Sequence, residues 1–429
     1  MILRNLLGMI KRCLLAVALL CTVVAAFMPY AVEIWLDVAA VCLVGYVVCL
    51  LYGLKKKVRW FDVVVSGCAC LSAILTITLM TERRLALYTA IEALNLAVVA
   101  AASIQALIEK RGSRAALCVL TAICLLFAGF GAYSHAVYGR TVMATVAEWA
   151  LASGKVPDEK VADTFMALTE AGETRPTVKT SDFHRKAEQK DFNGMPVLYV
   201  NQDADYERVA FYIHGGYYVY QMGGEQTALM NRLANQTNSL VVIPMYPLAP
   251  FHTAESGHEL MLRLYEQVRN ENPGKKSILM GDSAGGGYSL ALAENLAQHG
   301  MEQPDELVLL SPWVDVTMSN PDIAQYASVD PMLTVTMGRT SGEAWAGSLP
   351  TDDWLVSPIN GDLSQLKNVS IFVGTRELFY PDDTLLYEKL KSNPNVKLYV
   401  GKGQNHVYPV YPTLEGRMAT ETIMEIVKR

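Results

Sequence analysis

The sequence predicts an α/β protein, with a mostly parallel sheet covered by helices, preceded by a separate all-helical hydrophobic region. Three observations predict this arrangement. Short apolar runs of strand length alternate with helical patterns in the second half of the chain, as in a sheet buried on both faces. One of these runs ends in a Gly-x-Ser-x-Gly turn that opens a helix. The longest apolar stretches are confined to the first third.

Charge and cysteine content differ between the two parts of the chain. Residues 1–140 hold 13 of the 36 Lys and Arg residues and 6 of the 42 Asp and Glu residues, so the remainder has a net charge of about −13. A polyanion such as nucleic acid is therefore not an expected partner of the second part. All eight cysteines precede residue 125, which excludes a disulfide framework after that point.

The first third has the pattern of a transmembrane region with four to five spans, which makes the lipid bilayer an expected partner. Each apolar stretch is close to the ~20 residues that a membrane helix needs, and the stretches cover 13–30, 38–54, 60–80, 85–107 and 115–133. With five spans, the basic loops lie mostly on one side, which is cytoplasmic by the positive-inside rule. The rest of the chain is then extracytoplasmic. Glu33 and Asp37 shorten the second span, and with one span fewer the rest of the chain lies on the cytoplasmic side.

The chain divides into the transmembrane region 1–138, a linker and helical cap segment 139–185, and an α/β domain 186–429. The middle part carries two helical patterns. One includes Val142, Val146 and Trp149, and the other runs from Pro157 to a stop at Gly172, with Val161, Phe165, Met166 and Leu168 as its apolar face. Such a pair predicts either a stalk or a lid over an active site.

The α/β domain shows strand and helix patterns in the order that a parallel sheet requires. Strands are predicted over 186–200 with a turn at Asn193 and Gly194, and then over 208–213, 239–244, 277–281, 305–310, 369–373 and 395–400. Helices are predicted over 255–270, 288–298 and 414–427.

The nucleophile pattern lies in residues 277–287. A strand stops at Gly281, residues 281–285 read Gly-x-Ser-x-Gly around Ser283, and a helical pattern follows. The glycines are needed because strand and helix approach closely at so sharp a turn. The free N–H groups of the helix N-terminus then favour developing negative charge. Ser283 is the predicted nucleophile.

The strand 208–213 runs straight into His214, Gly215 and Gly216. We expect the backbone N–H groups of Gly215 and Gly216, together with that of Ala284, to form an oxyanion hole. His214 is expected to support this loop.

Of the seven histidines, only His406 has a predicted strand directly before it and comes after both Ser283 and a candidate acid in the chain. Ser283, the acid and His406 each follow a predicted strand, and the chemistry requires all three groups at the carboxyl edge of one sheet. Two acids follow the strand 369–373. Glu377, on the first turn, is the predicted triad acid. Asp382, beside Asp383, is the alternative and is expected to cap the next helix.

Aromatic residues lie close in sequence to the predicted hole and triad. Tyr217, Tyr218 and Trp313 are therefore the predicted substrate-pocket residues, and their bulk predicts a preference for short acyl chains. Residues 330–333 and Trp345 are expected to add further walls.

Together these pieces resemble the hormone-sensitive-lipase-like carboxylesterases of the α/β-hydrolase fold. The matching motifs are His214–Gly216, 246–250, 281–286, 311–315 and the pair Asn405 and His406. The resemblance covers about residues 190 to 429 and implies an esterase for short acyl or acetyl esters, with a helical cap and no cofactor or metal. Two features depart from the family pattern: Glu377 stands where an aspartate is usual, and residues 1–138 have no counterpart.

The sequence therefore predicts a membrane-anchored serine esterase or deacetylase that acts on a small-molecule or glycan ester through an acyl-enzyme. An amidase or peptidase is the alternative among enzymes, because the same triad cleaves amides. A non-catalytic, hydrolase-like ligand-binding sensor is the alternative outside enzymes. An ester assay with a serine-directed covalent inhibitor distinguishes a catalyst from a sensor, and paired ester and amide substrates distinguish the two enzymes.

Overall fold

A computed structural model describes the chain continuously over residues 133–173 and 176–429. Between residues 10 and 131 it describes short stretches, the longest being 16–22, 38–44 and 94–101. The chain forms two compact units, Met1–Ala147 with Pro412–Arg417, and Glu148–Tyr411 with Met418–Arg429. Among the described residues, no helix combines the length and the apolar character needed to cross a membrane. The five predicted membrane stretches lie largely outside the described residues.

The described part of the first unit is helical. Its apolar residues form a small cluster of Ala18, Leu43, Tyr46, Val47 and Val98. At the end of this unit, the backbone N–H and the hydroxyl of Thr141 donate to the Glu415 carboxylate at 2.7 and 2.9 Å. These two bonds satisfy a carboxylate that is only 7% exposed.

The second unit contains an eight-stranded sheet, which confirms the predicted α/β class. Its strands are β1 Ala187–Phe192, β2 Met195–Val200, β3 Arg208–Ile213, β4 Leu240–Pro244, β5 Lys276–Asp282, β6 Glu306–Leu310, β7 Val369–Gly374 and β8 Val396–Gly401. The spatial order is β1-β2-β4-β3-β5-β6-β7-β8. β1 and β2 form a hairpin, β2 pairs antiparallel with β4, and all other neighbours are parallel. The hairpin turns at Asn193 and Gly194 with φ values of 53° and 88°, as the sequence predicts.

After residue 140, two α-helices precede the sheet, and helices at all three positions predicted for the α/β domain are present. The helices after residue 140 are α1 Val142–Ala152, α2 Val161–Ala171, α3 Gly224–Thr237, α4 Ala254–Glu271, α5 Ala284–Gln298, α6 Ile323–Tyr326, α7 Val335–Ala346, α8 Tyr380–Leu390 and α9 Leu414–Lys428. A π-helical turn, Ser134–Tyr138, precedes α1. Short 3-10 turns cover Asp158–Lys160, Thr180–Asp182, Pro358–Asn360, Leu363–Gln365 and Tyr408–Val410.

Helix α3 is absent from the sequence-based prediction. It connects β3 to β4 and buries Met230, Leu233, Ala234 and Thr237 at helical spacing. Asn, Gln and Thr are frequent between these residues, so the apolar stripe is narrow and the pattern resembles a polar loop. Burial against the sheet supplies the stability that composition alone does not indicate.

Two apolar clusters cover the two faces of the sheet. In β3, Val209, Phe211 and Ile213 face one cluster, and Ala210 and Tyr212 face the other. Side chains of α4, α5, α7 and α8 complete the first cluster, and those of α3 and α9 complete the second. This is the expected consequence of the period-two alternation of side chains along a strand.

Helix α2 supports the prediction of a helical segment packed on the α/β domain. Val161 is buried, and Phe165 and Leu168 pack against the first apolar cluster. The helix also contacts α7 and ends at Gly172, which has φ of +77°. Trp149 and Met166, which belong to the predicted helical patterns, are instead 56% exposed.

Candidate active site

Ser283 lies on the sharp turn between β5 and α5. Its φ of 53° and ψ of −123° are unusual for a residue with a side chain. The neighbouring glycines make this turn possible. A Cβ on Gly281 would lie 2.2 Å from the Gly285 carbonyl oxygen, and a Cβ on Gly285 would lie 2.1 Å from the Ile213 carbonyl oxygen. The Ser283 N–H donates to the Leu310 carbonyl at 2.8 Å and fixes the turn to β6.

The structure brings Ser283, His406 and Glu377 into one hydrogen-bonded line. His406 Nε2 lies 2.8 Å from Ser283 Oγ, and His406 Nδ1 lies 3.0 Å from Glu377 Oε2. The three residues are 8%, 3% and 0% exposed, respectively. Because an ionised carboxylate only accepts hydrogen bonds, Nδ1 carries the imidazole hydrogen and Nε2 is free to accept the serine proton.

The second candidate acid lies elsewhere. Asp382 accepts a hydrogen bond from Asn320 Nδ2 at 2.7 Å, and burial raises the pKa of Asp382 to about 6. It lies inside the first turn of α8, which begins at Tyr380, so the predicted capping role of Asp382 is wrong. Its neighbour Asp383 is fully buried, and this burial, with the nearby Glu377 charge, raises the Asp383 pKa well above its usual range.

Two contacts fix the loop that carries His406. The ring of Phe379 meets the imidazole edge-on, with 5.1 Å between ring centroids. Ser311 Oγ accepts the N–H of Val407, the residue after His406, at 2.9 Å. Neither role is predicted from the sequence, although Ser311 begins the motif 311–315.

The oxyanion donors differ from the prediction. The Gly215 N–H donates to Asp282 Oδ1 at 2.9 Å, so the prediction of Gly215 as a donor to substrate is wrong. Gly216 has φ of +126°, which favours glycine, and no acceptor for its N–H occurs among the described residues. Ala284 opens α5, where N–H groups have no intrahelical partner. Gly216 and Ala284 are therefore the candidate donors.

Asp282 fastens the His-Gly-Gly loop to the nucleophile turn. Besides the Gly215 N–H, its carboxylate accepts the Tyr212 hydroxyl at 2.5 Å and Gln226 Nε2 at 2.9 Å. A Cβ on Gly215 would lie 2.5 Å from Asp282 Oδ2 and 2.8 Å from the Ser283 Cβ. The glycine at 215 is thus needed for close approach. The fastening role of Asp282 is not predicted from the sequence, because Asp282 occupies an x position of the Gly-x-Ser-x-Gly pattern, where any residue is allowed.

His214 supports this loop from behind. Its Nδ1–H donates to the Gly215 carbonyl at 2.8 Å, and its ring stacks on Tyr246 at 4.5 Å. The Tyr246 hydroxyl donates to the His214 carbonyl at 3.0 Å. Complete burial lowers the His214 pKa. His214 is therefore a neutral packing residue, in agreement with the expected supporting role.

The predicted pocket residues divide into two kinds. Tyr218 and Trp313 are 1% and 0% exposed, so their prediction as pocket residues is wrong. Tyr218 stacks on Trp345 with 4.6 Å between ring centroids. Trp313 stacks on Phe379 with 5.7 Å between ring centroids, and Phe379 in turn packs on the imidazole of His406. Tyr217 is partly exposed and meets Trp313 edge-on. It stays a candidate for substrate contact.

Met332, from the predicted wall 330–333, lies beside the histidine loop. Its sulfur accepts from the Tyr411 hydroxyl at 3.3 Å and from Asn405 Nδ2 at 3.9 Å. Met332 is partly exposed and Asn405 directly precedes His406. Met332 therefore borders the site, which makes it a second candidate for substrate contact.

Two surface clefts lie away from the triad. Clefts of about 670 and 570 Å³ are lined by residues of α3 with 177–184 and by residues of α8 with 315–322, and neither lining includes a triad residue. In the part of the chain that the structure describes, no group of three or more His, Cys, Asp or Glu side chains is placed to hold a metal ion.

Comparisons with known proteins show which proteins this chain is similar to. Residues 210–410 match the model of a family with the α/β hydrolase fold. An esterase of Acinetobacter venetianus is 28% identical over 48% of this chain and 70% of its own length. An acetyl-hydrolase of Streptomyces hygroscopicus is 28% identical over 50% of this chain and 73% of its own.

The chain is also similar to solved structures. A Staphylococcus aureus protein assigned as an esterase has a TM-score of 0.60 at 26% identity, over 64% of this chain and 94% of its own. An esterase from the bacterial hormone-sensitive lipase family has a TM-score of 0.54 at 24% identity, over 64% and 98% of the two chains, a likeness that shows the fold. Together the comparisons show the α/β hydrolase fold over residues 210–410 and a similarity of this part of the chain to esterases.

Proposed function

We propose that this chain, a carboxylic ester hydrolase of the α/β-hydrolase fold, hydrolyses short-chain acyl esters through Ser283, His406 and Glu377. The observation that carries the proposal is the buried hydrogen-bonded line of 2.8 and 3.0 Å that joins these three residues. The relatives are named as an esterase and an acetyl-hydrolase, which supports ester cleavage and a small acyl group.

The mechanism follows from the positions of the polar atoms. Ser283 Oγ attacks the ester carbonyl while His406 Nε2 accepts its proton. The carbonyl oxygen becomes an oxyanion, which the N–H groups of Gly216 and Ala284 stabilise. The carbon–oxygen bond to the alcohol then breaks, and His406 returns the proton to the departing alkoxide. Water, deprotonated by His406, hydrolyses the acyl-enzyme in the same way.

Glu377 has two tasks in this cycle. Its Oε2 holds the Nδ1–H of His406, and its negative charge stabilises the imidazolium that forms when the serine proton is taken. The Gly374 N–H donates to Oε1 at 3.1 Å and fixes the other half of the carboxylate. A glutamate therefore fills the position where the resembled family usually has an aspartate.

The preference for short acyl groups rests on the burial of the nucleophile and on the bulky side chains near it. Ser283 is only 8% exposed, and the partly exposed Tyr217 and Met332 are the candidates for contact with the acyl group. A series of p-nitrophenyl esters from acetate to decanoate tests this preference, with kcat/KM expected to fall as the chain lengthens. A kcat/KM that rises steadily toward decanoate contradicts it, and matched acetyl amides show whether the enzyme prefers esters.

We also propose that residues 1–138 anchor the chain in the membrane, with the catalytic domain outside the cytoplasm. The support comes from the sequence: apolar stretches of membrane length and basic loops on one side. Protease added to intact protoplasts should then digest the chain after about residue 140. Digestion only after lysis means an even number of spans, and recovery in the soluble fraction rejects the anchor.

A further inference from the structure

The turn that carries Glu377 is fixed on one side by an ion pair with α1. Arg376, the residue before Glu377, donates from Nε to Glu148 Oε2 and from an Nη atom to Glu148 Oε1, both at 2.9 Å. The side chains are only 20% and 9% exposed. A bidentate guanidinium–carboxylate pair that is largely buried has a defined geometry, whereas a solvated surface pair does not.

Arg376 also connects the acid turn to the histidine loop. Its backbone N–H donates to the Gln404 carbonyl at 2.9 Å, two residues before His406. The neighbouring Thr375 hydroxyl accepts the Gly403 N–H at 2.8 Å. A shift of Arg376 would therefore disturb both the acid turn and the histidine loop.

The other side of the turn is fixed through Asp330. This buried carboxylate accepts the N–H of Leu378, the residue after Glu377, at 2.8 Å. It also accepts the Met332 and Leu333 N–H groups at 2.7 and 2.8 Å. The backbone carbonyl of Asp330 in turn accepts Lys155 Nζ at 2.7 Å.

Glu148 and Lys155 belong to one short segment, residues 148–155, at the end of α1 and just beyond it. The family model that matches this chain begins only at residue 210, so the segment lies outside the matched region. Glutamate has one more rotatable bond than aspartate, so its carboxylate needs more restraint to stay on the imidazole.

We propose that residues 148–155 are a positioning segment for the catalytic acid. Glu148, through Arg376, and Lys155, through Asp330, hold the residues on both sides of Glu377 and keep its carboxylate within reach of His406. Neither Glu148 nor Lys155 touches the reacting atoms; both act through the turn. The proposal rests on the proposed triad.

The test uses the full chain and measures both turnover of p-nitrophenyl acetate and the rate of fluorophosphonate labelling at Ser283. Glu148→Gln and Lys155→Met should each lower kcat, and the double variant should lower it by about 10- to 100-fold, since small misplacement of a catalytic group has effects of this size. KM should change less than about two-fold, because substrate contacts are intact. Glu302→Gln, which removes a surface ion pair with Arg269 at 3.2 Å, is the matched control and should leave kcat unchanged.

A thermodynamic cycle separates positioning from general destabilisation. In a Glu377→Gln background, Glu148→Gln should cause no further loss of labelling rate, because the group that it positions is already disabled. The exchanged pair Glu148→Arg with Arg376→Glu should recover part of the loss caused by Glu148→Arg alone. The proposal is overturned if the double variant keeps kcat within two-fold of the parent, or if Glu148→Gln lowers the rate equally in both backgrounds. Labelling of Ser283 in the unmodified chain tests the proposed function separately.

Discussion

Replacement of Asp282 tests whether the His-Gly-Gly loop depends on the nucleophile turn for its position. Asp282 accepts three hydrogen bonds, from the Tyr212 hydroxyl, the Gly215 N–H and Gln226 Nε2, in a residue that is 3% exposed. Hydrogen bonds to a charged group contribute about 1.5–3 kcal/mol each. Asp282→Ala removes all three and frees the loop that carries Gly216.

The size of the expected loss follows from the role of Gly216. A missing oxyanion donor typically lowers kcat by about 10²- to 10³-fold, so Asp282→Ala should lower kcat by this amount with a smaller change in KM. Asp282→Asn keeps the shape and one acceptor oxygen. The new side-chain NH₂ group would face Gln226 Nε2, so that two donors meet. The Gln226 amide cannot flip to present its oxygen instead, because Gln226 Oε1 accepts the Gly223 N–H at 2.6 Å. An intermediate loss is therefore expected.

The assay is steady-state hydrolysis of p-nitrophenyl acetate, with the thermal midpoint measured for each variant. Gln226→Met is the matched control, because it removes one hydrogen bond of Asp282 and leaves the Gly215 bond in place. It should cost stability while keeping kcat within a few-fold of the parent. The reasoning is refuted if Asp282→Ala is folded and turns over within three-fold of the parent.

Three further predictions follow from buried groups. Glu377→Gln should lower kcat by about 10³- to 10⁴-fold, whereas Asp382→Asn should mainly change the thermal midpoint; the reverse result transfers the acid role to Asp382. Burial raises the pKa of Glu294 from 4.5 to about 9, so stability from its neutral form is complete below pH 4.5 and is lost as pH rises through about 9. Between pH 4.5 and about 9, the free energy of unfolding of Glu294→Gln relative to that of the parent should therefore rise by up to about 1.4 kcal/mol per pH unit. Urea midpoints that differ between variant and parent by the same amount at pH 5 and pH 8 contradict this. Gly285→Ala should yield no folded esterase, because the added Cβ would lie 2.1 Å from the Ile213 carbonyl oxygen. Recovery of soluble, active variant would contradict this prediction.

The triad could be predicted from the sequence because it depends on chain order and strand ends. Ser283, Glu377 and His406 each follow a strand of a parallel sheet, and parallel strands end at one edge. The strand bounds agree with the predictions to within a few residues. Helix α3 was missed because its polar residues narrow the apolar stripe that identifies a helix.

The direction in which each side chain points could not be predicted from the sequence. Tyr218 and Trp313 lie next to site residues along the chain, yet both point into the core. Likewise, the Gly215 N–H was assigned to the oxyanion because a motif shows which donors exist, but not which acceptor each one meets. The bond between Arg376 and Glu148 joins residues 228 positions apart, and no local pattern indicates such a pair.

An acyl-enzyme on Ser283 can be detected by rapid-quench mass spectrometry during turnover of an acetyl ester. We expect an acetyl group on the peptide that contains Ser283. In the Ser283→Ala variant this adduct should be absent and kcat should be lower by about 10⁶-fold. An adduct on another residue, or a Ser283→Ala variant that keeps a tenth of the parent activity, would contradict the account.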